Sequence, residues 1–117
     1  MRNFQTLSIW NKSHSLALRI YTITRSFPKE ELFGLVFQMR RSCSSIPTNI
    51  AEGCGRYSNI ELKRYLTIAA GSASELQYQI LLSKDLHYIP QSTYQELDNE
   101  IIQIRKMIYR LSGKIAS

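Results

Sequence analysis

Glycine and proline are scarce in this chain, five and three residues in 117, and they cluster at a few points. That spacing excludes a sandwich or barrel of short strands, which needs turn residues every eight to twelve positions. Cysteine occurs twice, Cys43 and Cys54, with no CxxC and no nearby histidine pair. This is neither zinc-site spacing nor a disulfide framework, and both read as reduced packing residues. The two histidines, His14 and His87, do not follow a glutamate by three; residue 11 is Asn and residue 84 is Lys. The Glu-x-x-His pairs of a di-iron bundle are therefore missing. So are GxxxxGK[ST], GxGxxG and a nucleophile elbow. No catalytic, cofactor or metal site is expected, and an enzyme is not the reading. No run reaches the roughly 18–20 apolar residues of a membrane span, and MRNFQTLSIWNKSHS has no signal-peptide core. The expectation is a soluble, cytoplasmic protein.

What is present is helical periodicity. Hydrophobic residues make up 44% and charged ones 21%, a globular composition that fits one domain over residues 1–117. The pattern predicts four helices, at about 8–25, 29–53, 59–86 and 93–115. In the first, Ile9, Leu16, Ile20 and Ile23 form a stripe that Trp10, Ala17 and Tyr21 widen. The second is expected to start at Pro28, with Glu30 and Glu31 at the positive end of its dipole. Leu32, Leu35, Met39, Cys43, Ile46 and Ile50 then step by three and four. Pro47 lies inside that pattern, which predicts a kink and not a stop; Gly53-Cys54-Gly55 should end the helix. Ser58 and Glu61 form a capping box for the third helix, with Leu62, Tyr65, Leu66, Ala69, Ala73, Leu76 and Ile80 inward. Its Gly71-Ser72 step predicts a close approach of another helix. Ser92 and Gln95 form a second box, followed by a heptad seam from Tyr94 through Leu97, Ile101, Ile104, Ile108 and Leu111 to Ile115. Connections of four to five residues make the helices antiparallel neighbours, so the fold class is all-α, an up-down-up-down four-helix bundle.

Against the apolar stripe of the second helix runs a polar one: Gln38, Arg41, Ser45, Asn49 and Glu52. The third helix offers Arg64, Ser72, Glu75 and Gln79. The expected use is a buried network joining Arg41 or Arg40 to Glu75, with Asn49 and Ser72 completing the hydrogen bonds, that fixes helix register. Replacing Asn49 or Glu75 by alanine should then destabilise the bundle or its oligomer.

The formal charge is +6, which favours an anionic partner. Arg56, Lys63 and Arg64 lie around the start of the third helix; Arg105, Lys106, Arg110 and Lys114 crowd the end of the fourth. Two readings stand. One is compensation of the helix dipole, with Glu96, Asp98 and Glu100 at the opposite end of the fourth helix. The other is a phosphate-binding end, with Tyr57, Tyr65 and Tyr109 available for stacking.

Five segments together carry a likeness: Ile9-Trp10, Phe27-Pro28-Lys29-Glu30-Glu31, Gln38-Met39-Arg40-Arg41, Ser45-Ile46-Pro47-Thr48-Asn49-Ile50-Ala51-Glu52-Gly53, and Gly71-Ser72 with Glu75. Over about residues 7 to 112 the chain resembles the bacterial four-helix-bundle proteins that include the intervening-sequence protein of large-subunit ribosomal RNA genes. That group is similar to the accessory variability determinants of diversity-generating retroelements. The resemblance implies a homopentameric barrel with a central channel. From its retroelement relatives it implies binding of nucleic acid through a basic surface and contact with a reverse transcriptase. The resulting expectation is a non-enzymatic oligomer that binds RNA or DNA non-specifically, as accessory to a nucleic-acid-processing protein. The alternative is a protein–protein adaptor with no direct nucleic-acid contact.

Overall fold

The computed structural model describes residues 2–116; Met1 and Ser117, the ends of the expected domain, lie outside them. Four helices form: α1 (Ser8–Thr24), α2 (Leu35–Cys54), α3 (Asn59–Asp85) and α4 (Gln91–Lys114). Each packs on its neighbour in sequence, α2 against α3 most extensively, and α4 returns to α1 to close the bundle. The body measures 44 × 24 × 20 Å. No strand occurs among the described residues.

The predicted stripes supply the core. Leu16 and Ile20 of α1, Met39, Ile46 and Ile50 of α2, Leu66, Leu76 and Ile80 of α3, and Leu97, Ile101 and Ile104 of α4 are fully buried. Burial of each such side chain stabilises by about 1.5–3 kcal/mol. The helical backbone of α2 continues through Pro47 to Cys54. Both cysteines are free and buried. Burial pushes the Cys43 thiol up to about 12, so it stays protonated and acts as a small apolar side chain.

Two helix starts differ from expectation. The second helix begins at Leu35, not 29, because Lys29–Glu31 form a separate 3₁₀ turn and Gly34 breaks the helical path. Glu31 still serves α2: its Oε1 accepts from the Leu35 N–H at 3.2 Å. Its Oε2 accepts from the Tyr88 hydroxyl at 2.8 Å, which ties the α3–α4 connection to the start of α2. The break turns Leu32 outward, although the stripe placed it inside, and leaves Phe33 92% exposed. At α4 the Ser92–Gln95 box does not form. Pro90 is the N-cap and the helix begins at Gln91; Gln95 Nε2 instead donates to Asn99 Oδ1 at 3.1 Å. The Ser58 cap is made as expected, its Oγ accepting from the Glu61 N–H at 3.1 Å.

The end of α3 falls where expected, with Leu86 as C-cap, and is closed by a specific pair of hydrogen bonds. Tyr88 N–H donates to the Ser83 carbonyl and His87 N–H to the Lys84 carbonyl, both at 2.9 Å. This paired closure places the residue after the cap in the left-handed region, a position glycine usually fills. Here His87 holds it, at φ 64°. A side chain there costs about 1–2 kcal/mol, part of which glycine loses again in unfolded-chain entropy. His87→Gly is expected to stabilise the fold by about 0.5–1 kcal/mol, read as a melting temperature raised by a few degrees.

Candidate nucleic-acid interface

Antiparallel packing gathers the start of α1, the end of α2, the start of α3 and the end of α4 at one pole. Arg2 N–H donates to the Cys54 carbonyl at 2.8 Å, and Lys63 Nζ to the Ile115 carbonyl at 3.3 Å, which fixes these termini together. Divided at the helix midpoints, the half containing this pole holds nine basic residues: Arg2, Lys12, Arg56, Lys63, Arg64, Arg105, Lys106, Arg110 and Lys114. Only Glu52 and Glu61 oppose them. The other half holds six basic and seven acidic residues. The basic half thus carries +7 and the other half −1, a segregation that dipole compensation within α4 does not require.

The acids of α4 are already engaged on the other side. Glu96 and Glu100 accept from Arg19 of α1 at 2.6 and 3.2 Å, and these contacts hold the Arg19 pKa above its ordinary value. Asp98 accepts from Gln77 Nε2 at 3.2 Å, and Gln77 Oε1 in turn accepts from Arg105 at 2.6 Å. This chain of contacts orients the Arg105 guanidinium along the α3–α4 seam.

The seven basic residues singled out from the sequence all fall in the basic half, but in different states. Arg56 is committed to its own surroundings: it donates to Glu52 at 2.9 Å and to the Tyr65 hydroxyl at 2.7 Å, and its guanidinium lies 5.0 Å from the centre of the Tyr65 ring. Lys63 is held by the α4 terminus, and Arg105 by Gln77. Arg64, Lys106, Arg110 and Lys114 are exposed and form no ion pair or hydrogen bond with any described residue. Arg105, Lys106 and Arg110 border a groove of about 530 Å³ between α3 and α4, lined also by Tyr109, Ile102 and Ala70.

The polar line between α2 and α3 forms, but mostly at the surface. Arg41 donates to Glu75 at 2.6 Å and to Gln38 at 3.1 Å, with the side chains of the ion pair 51% and 41% exposed. Exposed pairs of this kind contribute about 0–1 kcal/mol, so alanine at Glu75 costs less within one chain than a buried network would lose. Arg40 turns the other way, to Thr24 Oγ1 at 3.1 Å and over the Tyr21 ring at 4.8 Å. The Ser45 and Ser72 hydroxyls share a hydrogen bond of 2.8 Å. Asn49 does not reach Ser72; its Nδ2 donates to the Ser45 carbonyl and hydroxyl within its own helix, at 2.8 and 2.9 Å. Glu52 bonds to Arg56, outside this line.

The 23S rRNA-intervening sequence protein family model matches residues 5–110. The chain belongs to that family. A solved structure of a protein of unknown function from the S23 ribosomal protein family, from Bacteroides thetaiotaomicron, is 27% identical, with a TM-score of 0.80 over 89% of this chain and 97% of that one. No curated protein matches the chain.

In this member of the intervening-sequence family, the segments that carry the likeness are chiefly architectural. The Ser45–Gly53 segment buries Ile46, Pro47 and Ile50 and ends at a close approach of α2 and α3 at Gly53. A Cβ on Gly53 would lie 2.9 Å from Tyr65 Cβ and 3.0 Å from Leu62 Cδ1. The close approach expected at Gly71 is therefore made at Gly53, while space around Gly71 is open. One polar pair went unrecognised in the sequence. Ser42, fully buried, donates to Gln79 Oε1 at 2.6 Å. Gln79 stood among the polar residues of the third helix, but Ser42 lies on the apolar side of α2, one position before Cys43, where only an inward-facing hydroxyl would have signalled it. No helix among the described residues is long and apolar enough to cross a membrane.

Proposed function

We propose that this family member is a non-enzymatic homo-oligomer, a pentamer by its family likeness, that binds RNA or DNA through the phosphate backbone at its basic half. The observation that carries the reading is the confinement of the net positive charge to one half, where Arg64, Lys106, Arg110 and Lys114 among others are free of internal partners. Free cations release counterions when they meet phosphates; paired ones gain little. Of the large apolar residues left exposed, Tyr57, Ile60, Ile68 and Tyr109 lie in the basic half and seven lie in the other. Leu18, Leu32, Phe33, Phe37 and Tyr78 lie in the electrically balanced half, where copies meet without charge repulsion. Five copies, each at +6, would together carry +30. A partner enzyme that processes nucleic acid, a reverse transcriptase among them, fits this arrangement as the protein that such a carrier assists.

The test is titration of labelled RNA and DNA oligonucleotides against salt, with the assembly state followed by native mass spectrometry. Four phosphate contacts per chain give a log–log salt slope of about −3 on single strands. Binding that is absent at low salt, or unaffected by salt, would remove the proposal. The second reading, a protein adaptor, rests on Phe33 at 92% exposure. It is favoured if one protein is captured through that half and stays bound after nuclease treatment.

A further inference from the structure

We infer that the α3–α4 groove takes a single nucleic-acid strand, with a base stacked on Tyr109, in preference to a duplex. This rests on the nucleic-acid reading above and adds the class of ligand.

Ile102, Arg105, Lys106 and Tyr109 follow one another by three, one and three, so they form a single outward stripe of α4. The facing stripe of α3 is built from small residues, Thr67 and Ala70, beside the open space at Gly71. Long side chains on one wall and short ones on the other leave a trough, whose base is apolar at Ala70 and Ile108. Tyr109 stands on its rim, 81% exposed, and engages no other residue through its ring or hydroxyl. Arg105, Lys106 and Arg110 are its immediate neighbours.

Two chemistries therefore lie side by side: cations for phosphates, and an aromatic face above an apolar floor for something flat. A duplex keeps its bases stacked inside and offers only its charged backbone to such a trough. It would satisfy the cations and leave the floor and Tyr109 uncovered. A single strand presents both phosphates and unstacked bases, and base–aromatic stacking is indifferent to which base is offered. From Ile102 to Ser112 the groove follows about 15 Å of helix, room for a short run of nucleotides.

The experiment uses the full chain, a labelled oligo-uridine 20-mer, an oligo-thymidine 20-mer and a 20-base-pair mixed-sequence duplex, in one buffer at low salt. The strands are expected to bind at least about tenfold tighter than the duplex. Tyr109→Ala should weaken strand binding by about tenfold with an unchanged salt slope, leave duplex binding as it was, and melt like the parent; Tyr109→Phe should keep strand binding. If the duplex binds as tightly as the strands, or Tyr109→Ala matches the parent on them, the inference fails while the proposed function stands. If neither strand nor duplex binds at low salt, both fail.

Discussion

Simultaneous replacement of Arg105, Lys106 and Arg110 by glutamate is expected to reduce nucleic-acid affinity by at least about 100-fold at moderate salt. Each lost phosphate contact lowers the salt slope by about one, and the new carboxylates repel what remains. The formal charge per chain falls from +6 to zero, so a general electrostatic loss must be separated from a local one. Reversing Arg25 and Lys29, exposed residues of the balanced half, removes four charge units without touching the groove. That control should keep affinity within about tenfold of the parent. Equal losses in the two variants would mean that net charge, not the basic half, governs binding. Melting of the triple variant should stay close to the parent, because Lys106 and Arg110 have no internal partners and Arg105 loses only an exposed bond to Gln77.

The second large effect is at Gly53. Alanine there gains about 1 kcal/mol of helix propensity but pushes a Cβ into Tyr65 and Leu62, an overpacking cost of about 1–3 kcal/mol. Leucine receives the whole clash with no space to relax into, and Gly53→Leu is expected to leave the chain unfolded or aggregated. Gly71→Ala is the internal contrast. Nothing lies within 4 Å of its added Cβ, so the helix gains stability by about 0.5–1 kcal/mol. Thermal melts of the three variants decide the matter. If Gly53→Ala raised the melting temperature as Gly71→Ala does, the close approach of α2 and α3 would not be limiting.

The order and faces of the helices were legible because apolar spacing is a direct record of which side is buried. Ile9, Met39, Leu76 and Ile101 all lie where periodicity put them. What escaped the sequence depended on contacts between distant residues. The start of α2 moved to Leu35 because Gly34 breaks the helical path after a separate 3₁₀ turn; Tyr88 also holds Glu31 of that turn from across the bundle, and no local rule contains that bond. The helix start at Gln91 overrode a good capping box because Pro90 already held the extended cap geometry. The Gly53–Gly55 turn ends α2 as expected, but the close approach expected at Gly71 is made at Gly53, and only the packing of α3 on α2 reveals that. The basic residues singled out by composition do fall together in one half of the bundle. Composition could not separate Arg56, absorbed by Glu52 and Tyr65, from Lys106 and Arg110, which have no such claim on them.

The uneven placement of charge along a 44 Å body also makes each molecule a long electric dipole. In the field of a polyanion such a body experiences a torque before it makes contact, and turns its basic half inward. The opposite pole, with Phe33 at its surface, is then held outermost. On the proposed function, contact with nucleic acid and contact with protein would occupy different ends of the same rod, so neither would have to displace the other, and the two could be made in either order.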